Sequence, residues 1–406
     1  MAKKKNNEYR PNAFLWAICV PLLKIFFRIK FKIKFEKNLN KGLSGPYIVL
    51  GNHPSLLDPF VMGCGIYPDK TNFVTSKYFF INKLFNKVLK MAGCIPKTQF
   101  TVDISAIKSI LKVLKNDGVI GIFLEGKSSV DGSSGLYNKT TAGLLKKMKV
   151  PVLIMKFDGA YLSKPRWSKT PMYGGYVEVS SEILFNKEDI EDLTEEEIYE
   201  QIVENMYYDD YEWNRVRKYE YKNPRLIEGL ESILFKCPKC GAMFKTITSK
   251  RKIWCEECGN SGHMDSYGII HPSGEKDIVF DTPVKWNKWQ EEWMNSEILK
   301  EDFNITLNIT NVKKGIELGK GFSDSGKGIV VLDNSGLKFN GTLENEEYIY
   351  ELPLQSLMGI SVKAESGEFE LTDGKTTLLL LPEDIKKVNL FDLAINCIVK
   401  RREQNE

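Results

Sequence analysis

After a short polar start the chain runs into an unbroken apolar stretch, residues 13–23 (AFLWAICVPLL), closed by Lys24. Eleven residues at 1.5 Å per residue reach across about half of a bilayer's hydrocarbon core, so the run predicts a helix lying in a membrane interface rather than crossing it. Lys24 and Arg28 stand one turn apart beside Phe26 and Phe27, which would give that helix a basic edge; a core helix with a solvated basic face is the alternative. Residues 28–37 (RIKFKIKFEK) then alternate strictly. Ile29, Phe31, Ile33 and Phe35 fall on one face and bases on the other, a period of two that predicts a strand. Further on, 47–50 is an apolar strand entering a Gly-Asn loop. Residues 103–117 put Ile104, Ile107, Leu111 and Leu114 on one helical face, with Gly118 as terminator. Residues 119–126 (VIGIFLEG) and 150–162 (VPVLIMKFDGAYL) are strands ending in turns, and Thr194 with Glu197 forms a capping box before a helix. Strands alternating with helices over 28–210 predict an α/β domain, a mixed sheet with flanking helices.

The texture then changes. The acidic, Tyr-rich stretch around 207–225 reads as part of a linker. Trp286, Trp289 and Trp293 recur at i, i+3 and i+7 and predict a helical packing seam. From 303 onward short strands are expected, with turns at DNSG (333–336) and TDGK (372–375), then a closing helix over 383–400. That pattern predicts a small β-rich domain, of the pleckstrin-homology type. The expected division is a membrane-interfacial segment at 1–27, the α/β domain at 28–210, a linker at 211–234, a cysteine-rich unit at 235–266 and the β-rich domain with its helix at 267–406.

A hydrophobic content of 42% is ordinary for a globular chain and argues against bulk disorder. The net charge of +4 is unevenly placed: residues 1–35 carry nine bases against Glu8 alone, which leaves the rest of the chain acidic. Electrostatic attraction to an anionic surface therefore belongs to the N-terminus.

Cys19, Cys64, Cys94 and Cys397 sit among apolar residues and read as small buried hydrophobes. Cys237, Cys240, Cys255 and Cys258 form two C-x-x-C knuckles, a spacing suited to tetrahedral thiolate ligation of a structural Zn²⁺. Lys236, Lys239, Lys245, Lys250, Arg251 and Lys252 cluster around the knuckles, so a nucleic-acid-binding module is a competing class. A zinc clip with a solvated basic face is the preferred reading.

The chemistry concentrates in GNHPSLLD (51–58). The chain holds only three histidines, and His53 precedes Asp58 by five residues. Pro54 fits the first turn of a helix, so a helix is expected to begin just after His53 and to carry Asp58 back to the imidazole's side. A carboxylate on one ring nitrogen fixes the tautomer and leaves the other nitrogen to take a proton.

The order of His53–Asp58, GCIPK (93–97), FLEG (123–126) and VPVLIMKFDG (150–159) resembles the four blocks of the phospholipid/glycerol acyltransferase family, over roughly residues 28–205. Asn52, His53, Ser55 and Asp58 match its first block fully. The resemblance implies that His53 is the base that deprotonates the acceptor hydroxyl and Asp58 its partner. Ser55, Lys97, Glu125, Gly126 and Lys127 would lie at the acceptor site. It also implies an acyl-CoA or acyl-carrier-protein donor, a lysophospholipid acceptor such as 1-acylglycerol-3-phosphate, and a peripheral or monotopic place on the cytoplasmic face of a membrane. Two departures bear on the acceptor. Where the family's third block carries the arginine expected to hold phosphate, this chain has Ser128, and Lys97 replaces the arginine that ends the second block. Lys97 with Lys127 are the favoured substitutes, Arg166 ranks third, and Lys77 is a further candidate; a non-phosphate acceptor is the alternative. GIFLEGKS (121–128) also matches a phosphate-binding loop literally, but its interior reads as a strand and the residues after Lys127 do not start a helix, so an NTPase is rejected.

Overall fold

The computed structural model describes residues 9–170, 174–363, 366–372 and 377–405. Lys3, Lys4 and Lys5, which carry part of the N-terminal charge, and positions 373–375 of the expected TDGK turn lie outside the described residues.

The first helix does not stop with the apolar run. It spans Ala13–Phe31 and is capped by Lys32 in the left-handed region, and only Lys34–Phe35 of the expected 28–37 strand pairs with the sheet. Phe27 and Phe31 are four residues apart, so they satisfy a helix's inner face as well as a strand's, and with Trp16 and Val20 they form the buried seam. The expected boundary at 27 thus falls inside a helix. Phe14, Ile18, Leu22, Ile25 and Ile29 form its outer, exposed row.

Seven strands form the first sheet, in the spatial order Lys34–Phe35, Glu178–Phe185, Val152–Asp158, Tyr47–Gly51, Val119–Phe123, Thr71–Ser76 and Ile95–Lys97. Neighbours are parallel except Glu178–Phe185, which runs antiparallel to Val152–Asp158. The central Tyr47–Gly51 is buried throughout. Helices cover both faces, which is why its residues read as a continuous apolar run rather than an alternating one. On one face lie the helices Ile104–Leu114, Thr140–Met148 and Glu195–Met206; on the other, Ala13–Phe31 and Asp58–Ile66. The capping box at Thr194 and Glu197 is present. The helix Ile104–Leu114 is rotated from expectation: it buries Ala106, Ile110, Val113 and Leu114, while Ile104 is exposed.

Residues 211–234 are not a linker. The helix Asp210–Arg217 and the segment after it bury Tyr211, Tyr221, Leu226, Ile227, Leu230, Ile233 and Leu234. These side chains share one core with Tyr161, Leu162 and Trp167 of the α/β region and with Ile253, Met264 and Ile270 of the cysteine-rich sheet. Acidic and tyrosine residues obscured the apolar positions that do the packing. The cysteine-rich unit is a four-stranded antiparallel sheet, in the order Ile270–Pro272, Ser261–Met264, Lys252–Cys255, Thr246–Ser249. Trp286 of the helix Pro283–Glu297 packs into the shared core, and Lys236 lies over the Trp293 ring at 4.2 Å, so the tryptophan row is the expected seam.

The C-terminal sheet is antiparallel, ordered Glu346–Pro353, Gly336–Leu343, Gly321–Asp333, Asn304–Glu317, Thr377–Pro382, Phe369–Thr372. Asn304–Glu317 and Gly321–Asp333 run 14 and 13 residues, longer than the short strands expected, because their alternation continues through register shifts after Ile309 rather than breaking into separate elements. The DNSG turn is present, with Asp333 Oδ1 accepting from the Ser335 and Gly336 amides. The closing helix, Ile385–Asn405, buries Val388, Phe391, Ala394 and Ile395 against this sheet. Asp392, Asn396, Lys400 and Glu403, spaced four, four and three apart, turn toward the cavity described next.

Candidate active site

Parallel strands deliver their following loops to one edge, and ligands bind there, beyond the strands' carboxyl ends. Register decides which side chains meet. Gly51 pairs with Phe123, so His53 and Glu125, each two residues past that pair, stand side by side. Ser76 pairs with Lys97, bringing the second block to the same edge. Three stretches far apart in sequence thus line one cavity of about 1880 Å³, which extends from the N-terminal helix to the C-terminal helix.

His53 Nδ1 lies 2.9 Å from Asp58 Oδ2. Asp58 is buried and His53 keeps 13% of its side-chain surface, on the cavity side. The helix expected just after His53 begins only at Asp58. Between them Pro54–Leu57 forms a tight turn in which the Ser55 amide donates to Asp58 Oδ2 at 2.7 Å and the Asp58 amide to the Ser55 carbonyl. Ser55 Oγ in turn accepts from the Leu57 amide, so this serine braces the aspartate. At the helix's first position the carboxylate also meets the positive end of the helix dipole. Burial pushes the Asp58 pKa up, and the bonds from His53 and Ser55 oppose that only in part. The imidazole stacks on Phe123 at 4.5 Å between centroids. Asn52 ties the loop down by accepting from the Phe157 amide on the neighbouring strand.

Glu125 is a clamp. Its Oε1 accepts from the His53 amide at 3.0 Å, and its Oε2 from the Gly135 amide and the Tyr208 hydroxyl. Burial pushes its pKa up to about 7. Gly126 has φ +68° and its carbonyl accepts from Gln99, so it turns the chain. No helix starts at Lys127; the next one is Thr140–Met148, which removes the phosphate-loop reading.

The sequence comparisons address the same residues. The profile of the family described as Acyltransferase matches residues 30–155. Residues 30–155, which hold His53, Asp58 and Glu125, are an acyltransferase domain. The chain is 24% identical over 159 residues to the 1-acyl-sn-glycerol-3-phosphate acyltransferase of Bacillus subtilis (strain 168), covering 39% of this chain and 78% of that protein. It is 28% identical over 151 residues to the Streptococcus pneumoniae (strain ATCC BAA-255 / R6) protein of the same name, covering 36% of this chain but only 55% of that protein. Among solved structures, the 1-acyl-sn-glycerophosphate (LPA) acyltransferase PlsC of Thermotoga maritima aligns at a TM-score of 0.41 and 19% identity, over 50% of this chain and 80% of that one.

For an acyltransferase domain, the basic side chains near the third block are arranged unexpectedly. Lys97 Nζ donates to the Thr98 carbonyl and lines the cavity, and burial pulls its pKa down against the opposing charge of Asp103. Lys127 does not stand alone. Its Nζ is 2.5 Å from Asp392 Oδ1 and 3.3 Å from Asn396 Oδ1, both on the C-terminal helix. Arg166, ranked behind the lysines from sequence, brings its Nη1 to 3.2 Å from the backbone carbonyl of Ser128, the position where the block lacks its arginine. Its Nη2 donates to the Val362 carbonyl. Asp392 and Asn396 escaped the sequence reading because no local pattern near 392 reports a partner 265 residues away.

The four knuckle cysteines converge. Their sulfurs lie within 4.8 Å of one another, and each knuckle turns on a glycine in the left-handed region, Gly241 and Gly259. This cluster can hold a metal ion. Among the described residues the other four cysteines form no such group; Cys64, Cys94 and Cys397 are buried, as expected of small hydrophobes, and Cys19 is half-buried.

Proposed function

We propose that this acyltransferase moves a fatty acyl group from acyl-CoA or acyl-carrier protein to the free hydroxyl of a lysophospholipid-like acceptor, with 1-acylglycerol-3-phosphate giving phosphatidic acid. The observation that carries the reading is the His53–Asp58 pair facing a cavity built from the family's blocks. Both curated relatives are named for that acceptor, which supports the choice. With Nδ1 committed to Asp58, Nε2 of His53 is the nitrogen that takes the acceptor's proton. The acceptor oxygen attacks the thioester carbonyl, the tetrahedral adduct expels the thiolate, and the imidazolium returns the proton to that sulfur. Incubation of the enzyme with lysophosphatidic acid and mixed acyl-CoAs, read by lipid mass spectrometry, should give phosphatidic acid. Absence of any acylated product with phosphorylated and neutral acceptors alike would overturn the reading. A neutral acceptor is the second reading, favoured by the pairing of Lys127 with Asp392.

The enzyme is proposed to work on the cytoplasmic face of a membrane. The outward apolar row Phe14, Ile18, Leu22, Ile25 and Ile29 supports this, as do Leu84, Phe85 and Val88 on the amphipathic helix Lys83–Ala92. Among the described residues no helix is long and apolar enough to cross a membrane. Flotation with anionic vesicles should retain the protein and lose an Ile18→Asp/Leu22→Asp variant; equal flotation would refute the placement.

The metal is proposed to be Zn²⁺, held by Cys237, Cys240, Cys255 and Cys258 as a structural clip. Sulfur–sulfur separations of 3.8 Å for Cys237–Cys258 and Cys240–Cys255 suit the edges of a thiolate tetrahedron around an ion with bonds of about 2.3 Å. One zinc per chain should be found by metal analysis, and Cys255→Ser should release it.

A further inference from the structure

The basic pair Lys127 and Arg166 holds more positive charge than the structure around it balances. Lys127 keeps 16% of its side-chain surface and Arg166 is likewise half-buried, and both line the cavity that His53 faces. Arg166 Nη1 bonds the carbonyl of Ser128, the residue next to Lys127, and its charge opposes that of the lysine. Asp392, 3% exposed, is the carboxylate that ion-pairs with Lys127, and its field also reaches Arg166. Glu125 acts on Lys127 as well, but its oxygens are occupied by the His53 and Gly135 amides and the Tyr208 hydroxyl. Among the described residues the two cations therefore share one ion-paired carboxylate. Such an imbalance in a partly dry site is costly unless a second anion arrives.

The position of Arg166 says where that anion would sit. Its guanidinium reaches the Ser128 carbonyl with one nitrogen and the Val362 carbonyl with another, so it is fixed from both regions of the chain beside the third block. A planar guanidinium held in place is a better partner for a phosphate monoester than a lysine on a flexible stem. Asp392 arrives on the C-terminal helix, whose inner face is packed in its own core, so the carboxylate is carried on a rigid element.

We propose that Lys127 and Arg166 form the seat for the acceptor's phosphate, and that Asp392 is the seat's resident anion, which the phosphate exchanges with on binding. The C-terminal helix thereby belongs to the acceptor site and sets its selectivity: the stronger Asp392 holds the pair, the weaker the advantage of a phosphorylated acceptor over a neutral one. The proposal rests on the cavity being an acyltransferase's acceptor site, yet its test does not need turnover.

The probe is glycerol 3-phosphate, its binding to the full chain measured by calorimetry at fixed ionic strength. Asp392→Asn keeps an oxygen for Lys127 Nζ but removes the competing charge, and should tighten binding by about tenfold; Arg166→Met should weaken it by about tenfold or more. Binding unchanged in Arg166→Met would overturn the seat, and so would unchanged binding in a folded Asp392→Asn. If Asp392→Asn fails to fold, Arg166→Met decides alone. In turnover, Arg166→Met should raise KM for lysophosphatidic acid while leaving KM for the acyl donor and for monoacylglycerol near wild type. A protein that binds glycerol 3-phosphate through this pair but transfers no acyl group would refute the reaction and leave the seat standing.

Discussion

Among the described residues two histidine–aspartate bonds have the same length, and only one of them lies at the large cavity. His53 and Asp58 are five residues apart and bonded at 2.9 Å; Asp265 and His271 are six apart and bonded at 2.9 Å. The distances do not separate them. Burial does: the side chains are 13% and 1% exposed in the first pair and 46% and 30% in the second. The carboxylates respond in opposite directions. Burial raises the Asp58 pKa beyond what its hydrogen bonds recover. At Asp265 the smaller cost of burial is outweighed by the His271 bond and by the Ile269 and Tyr267 amides, so its pKa falls. The first pair holds a charge where it is expensive, and the second holds one where it is stabilising. His53, the partner of that buried carboxylate, lines the cavity, whereas His271 and Asp265 do not; perturbed carboxylates of this kind cluster at functional sites.

The largest effect should come from the two histidines themselves. His53→Ala should cut acyl transfer by about 10²–10⁴, the usual contribution of a positioned general base, with little change in the thermal melt. His271→Ala should leave the rate within experimental error of wild type. Comparable losses in both variants would erase the distinction between the pairs, and an active His53→Ala enzyme would remove the mechanism.

Asp58→Asn should separate rate from stability. Activity should drop by about tenfold to a thousandfold, because the amide no longer fixes the tautomer or supports the imidazolium. Stability should move the other way at neutral pH. An aspartate whose folded pKa is raised above the unfolded value of about 3.9 costs stability as pH rises from that value through its folded pKa, and the cost is constant above it. Melts at pH 4 and pH 8 should therefore show the variant gaining on wild type at the higher pH. A variant that loses as much at pH 8 as at pH 4 would show that hydrogen-bond geometry, not charge, governs Asp58.

What the sequence could reveal follows the same line between local and distant partners. The His53–Asp58 spacing, the knuckle cysteines and the capping box at Thr194 are each complete within a few residues or a fixed repeat, so pattern alone exposes them. The expected α/β layer was legible too, because a parallel sheet covered on both faces leaves continuous apolar runs such as 47–50. Residues 28–37 misled because Phe31, which alternates with Ile29 and Ile33, also stands one helical turn from Phe27, and tertiary burial chose the helix. The stretch 211–234 misled because its apolar residues are spaced to fit a three-way core rather than a helix or strand face. The block pattern points to Lys127 but not to its partner, since nothing in the sequence couples position 127 to 392.

The smallest expected effect tests the bland pair. A carboxylate whose folded pKa lies below its unfolded value of about 3.9 contributes stability that is fully present above that value and is lost as pH falls through the folded pKa. Asp265→Asn should therefore lower the melt at pH 7, and the deficit against wild type should shrink as pH falls below about 4, where the wild-type carboxylate is protonated too. The side chain is 30% exposed, so solvent screens the pair and the deficit should be modest. Acyl transfer should not change, since Asp265 sits on the cysteine-rich sheet's loop, accepting from Tyr267 and Ile269, and does not line the cavity. A deficit that persists undiminished to pH 3 would assign the stabilisation to the two amide hydrogen bonds that set the loop. A loss of activity in this variant would show that the cysteine-rich region reaches the acyltransferase site through the core they share at Tyr161, Tyr211 and Met264.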